Sequence, residues 1–145
     1  MEFCKSILVA DDNDDIRESI YDALSNEGYV VETASNGQEA LEKLTKMEGP
    51  TLILLDLMMP VMNGWEFLDA QKRNAKFAGH QIVTMSAVNP TQSLEDPTPL
   101  ETAGSLQKPM SLGSLWAKVE EFCGPPPVSG REAAPTDREN PKALW

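Results

Sequence analysis

Short runs of apolar and β-branched residues alternate along this chain with segments in which apolar residues recur at helical spacing. The runs predict five strands, at residues 6–10, 30–34, 52–55, 81–85 and 104–107. The clearest helical spacing belongs to the first helix, with Ile16, Ile20, Ala23 and Leu24, and to the last, with Leu112, Leu115, Val119 and Phe122. Alternating strands and helices of this length predict a doubly wound α/β fold, a parallel sheet with helices on both faces.

Glycine, proline and serine mark where the predicted helices begin and end. Gly28 closes the first helix and Gly49-Pro50 closes the second. The third helix follows Gly64, and Ser111 is the predicted N-cap of the last.

One segment interrupts the alternation. Residues 89–104 contain Pro90, Pro97 and Pro99. Because proline inside a helix costs about 3 kcal/mol, the fourth helix expected here is predicted to be short, displaced or mobile.

The composition changes after Cys123. Residues 124–145 hold five of the eleven prolines and few apolar residues. The charges there cancel, so the net charge of −11 belongs to residues 1–123. We therefore predict a domain at residues 1–123 and a disordered, proline-rich tail at residues 124–145.

The charge and hydropathy of the chain exclude some partners. With a net charge of −11, the chain has too few cations to form a basic face for nucleic acid. The sequence contains no run of about 18 apolar residues, so no membrane helix is predicted. The N-terminus is unlike a signal peptide, so the predicted location is the cytoplasm.

Cysteine and histidine offer little further chemistry. Cys4 and Cys123 lie at opposite ends of residues 1–123 without a CxxC motif, and we expect two reduced thiols. His80 is the only histidine and is expected in a loop before a strand. A histidine-based metal site or catalytic triad is therefore disfavoured.

Polar residues follow four of the predicted strands. Asp11 and Asp12 follow the first strand, Asp56 the third, Ser86 the fourth and Lys108 the fifth. Sites in such folds form outside the carboxyl ends of the strands, so these side chains are expected to converge. A buried carboxylate needs compensation, which the other residues at this edge could supply to Asp56.

The chemistry of such a cluster is that of a metal and a phosphoryl group. Crowded carboxylates favour Mg²⁺, which binds oxygen ligands together with water and phosphate oxygens. A carboxylate beside this metal can act as a nucleophile toward phosphorus. A hydroxyl group and an ammonium group are suitable donors to phosphoryl oxygens.

Four motifs in this order carry a resemblance to a known family: VADDN, LLDLMMPVMNGWEFL, TMSA and LQKP. Over about residues 5–123 the chain resembles a receiver domain of the two-component response-regulator family. The resemblance implies five parallel strands in the order 2-1-3-4-5 and five helices. It also implies a signalling protein that accepts a phosphoryl group and is not an enzyme in the ordinary sense.

The resemblance implies a role for each acid of this cluster. Asp56 resembles the phosphoacceptor, which takes a phosphoryl group from the phosphohistidine of a histidine kinase or a phosphotransfer protein. Asp11, Asp12 and Asp56, with the backbone carbonyl of Met58, resemble the ligands of Mg²⁺.

The remaining site residues follow in the same way. Ser86 resembles the switch hydroxyl and Lys108 the phosphate-binding lysine, and Lys108-Pro109 resembles the family's cis peptide. The family usually carries Tyr or Phe three residues before the lysine, where this chain has Ser105.

Other functions stay open. Ser105 and the prolines at 90–99 favour a receiver-shaped docking module whose output does not depend on phosphorylation. The full set of acids instead favours a phosphoacceptor with an unknown downstream protein target.

Three other classes of protein are disfavoured. A phosphohydrolase with an aspartate nucleophile usually has a second acid two residues later, where this chain has Met58. A flavin-binding site is disfavoured, because ADDNDD would repel a phosphate after the first strand. A DNA-binding regulator is disfavoured, because no second domain is expected after Cys123.

The residues that border the phosphoryl group predict its lifetime. In the family, the side chains two residues after the acceptor and two after the switch hydroxyl border the path of the hydrolytic water. Here they are Met58 and Val88, which offer that water no hydrogen bond. We expect a long-lived phosphoryl group.

Overall fold

A five-stranded sheet forms the centre of the molecule. The computed structural model describes residues 3–47, 49–75, 79–86, 102–108 and 111–125. The elements in these residues are β1 (Ser6–Ala10), α1 (Asp14–Asn26), β2 (Val31–Ala34), α2 (Gly37–Leu44), β3 (Thr51–Asp56), α3 (Gly64–Arg73), β4 (Gln81–Ser86), β5 (Gly104–Gln107) and α4 (Leu112–Cys123).

The sheet is parallel throughout. Its strand order is β2-β1-β3-β4-β5, which confirms the predicted doubly wound topology. β1 lies between β2 and β3, and its register pairs Ile7 with Val31 on one side and with Leu52 on the other. All carboxyl ends of the strands therefore lie at one edge of the sheet.

Helices cover both faces of the sheet, as predicted. Successive side chains of a strand point to opposite faces, so a central strand that is apolar throughout serves two cores. In β3, Leu52 and Leu54 pack with α1 and α4, whereas Ile53 and Leu55 pack with α2 and α3.

A side-chain oxygen caps the N-terminus of each of the four described helices. Asn13, Asn36 and Asn63 cap α1, α2 and α3, and the predicted cap Ser111 accepts a hydrogen bond from the backbone N–H of Ser114 in α4. The caps satisfy N–H groups that have no partner within a helix. They fix where each chain segment turns away from the edge of the sheet that carries the acids.

Two predicted features lie mainly in parts of the chain that the structure does not describe. The proline-containing fourth helix at residues 89–104 and the tail at 124–145 lie mainly outside the described residues, as does Pro109 of the expected cis peptide. The described cis peptide bond is Gly49-Pro50. Within the described part of the chain, no helix is both long and apolar enough to span a membrane.

The expectation of two reduced thiols is wrong for this structure. Cys4 and Cys123 form a disulfide, with their Cα atoms 4.5 Å apart. Because β1 begins and α4 ends at the same side of the sheet, the fold brings together two residues separated by 119 positions. No local motif can signal a pair at that separation.

His80 lies directly before β4, as predicted, and joins this strand to its neighbour. Its Nδ1 accepts a hydrogen bond of 3.0 Å from the backbone N–H of Thr51 at the start of β3. Burial lowers the pKa of His80 from its ordinary value of 6.5.

We predict that His80 makes the fold less stable in acid. Below pH 6.5 the unfolded chain binds a proton at this residue more readily than the folded chain, so stability is lost as the pH falls. In His80→Asn, the amide oxygen can accept from Thr51 but does not titrate, so urea midpoints at about pH 5 and about pH 8 should differ less than in the parent. In His80→Ala, which lacks both the acceptor and the titrating group, we expect a loss of about 1 kcal/mol at pH 8 and a smaller loss at pH 5. Equal pH dependence in His80→Asn and the parent would contradict the role of this residue.

Candidate functional site

The end of β1 supplies two acids with different surroundings. The Asp11 carboxylate is fully buried, whereas Asp12 is exposed. The backbone N–H of Asn13 donates to Asp11 Oδ1 at 2.9 Å. Asp11 is therefore fixed in place, and Asp12 faces solvent beside it.

The end of β3 supplies the third acid. Asp56 is the last residue of the strand and is only 5% exposed. The backbone N–H of Met58 donates to Asp56 Oδ1 at 3.2 Å, and the Met58 side chain is 57% exposed. The apolar run at 52–55 thus ends in a buried carboxylate, as the sequence predicts.

Lys108 joins the two buried acids. Its Nζ lies 2.6 Å from Asp11 Oδ2 and 3.6 Å from Asp56 Oδ2. The lysine follows β5, which is separated from β1 by β3 and β4, so its side chain reaches across the edge of the sheet. One ammonium group therefore partly compensates two carboxylates.

Ser86 lies on the strand between Asp56 and Lys108. β4 pairs Met85 with Asp56, and Ser86 is the next residue along and the last of its strand. Its side chain lies outside what the structure describes. The backbone therefore places Ser86 at the same edge as the acids.

The three acids form a cluster that suits a small, hard cation. One carboxylate oxygen from each of Asp11, Asp12 and Asp56 lies within 4.8 Å of the others. Oxygen donors are the ligands that Mg²⁺ prefers, and the exposure of Asp12 leaves room for the waters that this ion retains. Asp11, Asp12 and Asp56 thus fit the predicted metal. Met58 contacts this cluster through its backbone N–H, which donates to Asp56. Its backbone carbonyl remains a predicted metal ligand.

The surroundings of Asp56 raise its pKa to about 6. Burial is the largest cause, and repulsion from Asp11 adds to it. Lys108 and the N–H of Met58 act in the opposite direction, and Asp12 raises the pKa slightly further. Asp56 is therefore mostly ionised at neutral pH, although its charge is poorly solvated.

Two residues that support the site were not predicted from the sequence. Asn13 donates to Asp11 through its backbone, and its side chain accepts from the N–H of Ile16 as the cap of α1. Asparagine before a helical pattern is a recognisable cap signal. Arg17 Nη1 donates to the Asp11 backbone carbonyl at 2.8 Å and its other nitrogen pairs with Asp14, contacts that helical spacing alone does not reveal.

Gly64 allows α3 to pass directly behind the end of β3. Its N–H donates to the Leu57 carbonyl at 3.0 Å. A Cβ at this position would lie 2.7 Å from Leu57 Cα and 2.8 Å from the Asp56 carbonyl oxygen. The glycine of the MNG sequence is therefore required by this close approach and not by a positive φ.

The model of the response regulator receiver domain family matches residues 7–120. The chain belongs to this family. The matched span includes β1 from Ile7 onward, the other four strands and every residue of the acid cluster.

Individual relatives agree with this assignment. The receiver domain is 31% identical over 124 residues to the transcriptional regulatory protein CrdR of Helicobacter pylori, covering 86% of this chain and 57% of that protein. It is 29% identical to sporulation initiation phosphotransferase F of Bacillus subtilis, covering 81% of this chain and 93% of that protein. The chain thus spans about half the length of a regulator such as CrdR.

A solved structure shares the fold. The response regulator TrrA of Thermotoga maritima, determined in complex with Mg²⁺ and BeF, is 30% identical to this receiver domain and superposes with a TM-score of 0.68. The alignment covers 81% of this chain and 98% of that one.

We predict that Gly64→Ala destabilises the receiver domain by about 1–3 kcal/mol, because the new methyl group meets backbone atoms of β3 and the following loop. Gly104→Ala is the control, since its Cβ would meet only the flexible end of Lys118 at 3.2 Å. Urea denaturation of both variants measures the difference. Equal midpoints would show that α3 can move away from Leu57 without cost.

Proposed function

We propose that this receiver domain accepts a phosphoryl group on Asp56 and signals through a partner protein or a phosphorelay. The observation that carries the proposal is the meeting of the Asp56 carboxylate with Asp11, Asp12 and Lys108 at the carboxyl edge of the sheet. An aspartate is an established type of phosphoryl acceptor when metal and cationic groups offset the charge around it.

In the proposed step, a carboxylate oxygen of Asp56 attacks the phosphorus of a phosphohistidine. The new oxygen–phosphorus bond forms as the phosphorus–nitrogen bond of the donor breaks, and the departing imidazole nitrogen keeps that electron pair and takes up a proton. Asp56 must be ionised for this attack, and a pKa of about 6 leaves it so at neutral pH.

The other residues stabilise charge on the transferred group. Lys108 Nζ already lies between the two buried carboxylates, and it can donate to a phosphoryl oxygen bound to Asp56. Ser86 is proposed to donate its hydroxyl group from the adjacent strand end. Asp11, Asp12, Asp56 and the Met58 carbonyl would hold Mg²⁺, which supplies positive charge to the phosphoryl oxygens when it is bound.

The partners and location follow from this reaction. The proposed donor is a histidine kinase or a phosphotransfer protein, and the downstream protein target is not specified by the site. The relative from Bacillus subtilis is a phosphotransferase by name and is nearly covered by this chain, which supports a role in a relay. We further propose that the protein acts in the cytoplasm, without nucleic acid or membrane insertion, as a phosphoacceptor and not as a turnover enzyme.

A second candidate is a docking module whose output does not depend on phosphorylation. Ser105 is exposed on β5, where the family usually places the aromatic ring that follows the switch hydroxyl. Partner affinity measured with and without the phosphoryl group separates the two functions, because only the phosphoacceptor predicts a difference.

We predict that treating the full chain with Mg²⁺ and a small acyl phosphate adds one phosphoryl group at Asp56. Intact mass spectrometry should show this addition in the parent. The addition should be absent in Asp56→Asn, and absent from the parent when a chelator is present. Asp69→Asn, which changes an exposed acid of α3, should be labelled like the parent. Full labelling of Asp56→Asn would remove the assignment.

We predict that Mg²⁺ binds more weakly as the pH falls below about 6, because protonation of Asp56 competes with the metal. Asp12→Ala should lose about tenfold or more in affinity in a calorimetric titration. Asp15→Ala serves as the matched control, since it removes a nearby acid that is outside the cluster. Undiminished affinity in Asp12→Ala would contradict the proposed ligand set.

We predict a phosphoryl group that is hydrolysed slowly, because the exposed side chain of Met58 cannot orient a water molecule by hydrogen bonding. Met58→Asn should lose the group severalfold faster than the parent, and Met58→Leu should match the parent. The same increase is expected for Val88→Glu, at a position outside the described residues. Timed mass spectrometry measures the decay, and a parent that decays as fast as both polar variants would refute this reasoning.

A further inference from the structure

The N-terminal segment is fastened to the C-terminal end of α4 by contacts that do not involve sulfur. The backbone N–H of Cys4 donates to the Phe122 carbonyl at 2.9 Å. The Tyr29 hydroxyl donates to the Gly124 carbonyl at 2.8 Å. The ring of Phe3 lies so close to Gly124 that a Cβ there would be 2.9 Å from it. The N-terminal segment and the end of α4 are therefore joined by backbone and side-chain contacts in addition to the disulfide.

The disulfide lies at the margin of one core, beside the start of β1, whereas the acid cluster lies at the opposite, carboxyl end of this strand. Cys4 is half-buried and Cys123 is 9% exposed. Asp11 lies seven positions after Cys4, a distance of roughly 23 Å in extended backbone. A small thiol that reaches the half-buried Cys4 therefore does not pass through the phosphoacceptor site.

Both cysteines lie outside residues 7–120, the span that matches the family. The bond joins the two flanks of this span, so it encloses the whole matched domain in one covalent loop. Because disulfides are rare in reducing compartments, its formation in the cytoplasm would require a change in redox conditions.

We propose that Cys4 and Cys123 are a reversible thiol–disulfide site that fastens the N-terminal segment to the end of α4 when the surroundings become oxidising. The occupant of the site is a small-molecule disulfide, as oxidant, or a small dithiol, as reductant. The site controls the stability of the domain ends independently of phosphorylation.

The exchange balances in both directions. The Cys4 thiolate, the more exposed of the two, attacks one sulfur of the small-molecule disulfide and releases one thiolate. The Cys123 thiolate then attacks the Cys4 sulfur in the mixed disulfide, forms the Cys4–Cys123 bond and releases the second thiolate. The protein loses two electrons and two protons, and the small molecule gains them as two thiols. A dithiol reverses both steps.

The bond is expected to act mainly on the ends of the domain. Closing so long a loop restricts the unfolded chain, so the oxidised form should unfold at higher urea concentration than the reduced form. Amide hydrogens near Cys4 and in the last turn of α4 should exchange faster after reduction. Labelling of Asp56 by an acyl phosphate should be the same in both forms.

The test uses the full chain, equilibrated with oxidised glutathione or with dithiothreitol and then treated with a thiol-alkylating reagent. Intact mass should show no alkylated cysteine after oxidation and two after reduction, and re-oxidation of the reduced protein should restore the first state. The urea midpoint should fall on reduction of the parent. Cys4→Ser/Cys123→Ser should show one midpoint under both conditions, close to that of the reduced parent.

Several outcomes would overturn the proposal. They are two alkylated cysteines after oxidation, a bond between two copies of the chain on a non-reducing gel, and a bond that the dithiol opens only in denaturant. An unchanged urea midpoint on reduction of the parent would show that the bond does not fasten the domain. The parent alone supplies all of these readouts, so the proposal does not depend on the folding of the double variant.

Discussion

Two almost completely buried carboxylates share one ammonium group at the edge of the sheet, and the site depends on this imbalance. Asp11 and Asp56 both contact Lys108, and the compensation is incomplete, because the pKa of Asp56 stays near 6. A site with surplus negative charge attracts a further cation. The same repulsion that opposes folding thus makes this edge of the sheet suited to a small, hard cation.

The parallel sheet makes this arrangement possible. Five strands that run in one direction must present all their carboxyl ends together, and four of these ends carry a residue of the candidate site. The apolar residues of β1 and β3 are divided between two cores, so these central strands are anchored on both faces. Side chains at the strand ends are therefore held by a rigid framework, while Asp12 and Met58 remain in contact with solvent.

The sequence predicted the parts of the fold that depend on local pattern. Strand runs such as residues 6–10 and 104–107, and the cap Ser111, have the predicted positions, because periodicity and capping are properties of neighbouring residues. The convergence of Asp11, Asp56 and Lys108 followed from topology together with the family motifs. The roles assigned to the site residues remain proposals.

Contacts between distant residues could not be predicted in this way. The bond of Cys4 to Cys123 depends on where β1 begins and where α4 ends, and the reach of Arg17 back to Asp11 depends on the angle at which α1 leaves the sheet. The glycine in MNG was read only as a turn signal, whereas Gly64 is needed because a helix passes against the backbone of Leu57. Such requirements arise from packing in three dimensions and leave no periodic trace.

The covalent link between the two ends of the domain also changes how the molecule responds to mechanical force. Tension applied between residue 3 and residue 125 would travel through the bond from Cys4 to Cys123 and bypass the sheet entirely. The strands between these cysteines would then carry no load, and the domain could be stretched by only the few residues outside the loop. With the bond open, the same tension would act on β1, whose hydrogen bonds join it to both β2 and β3 at the centre of the fold.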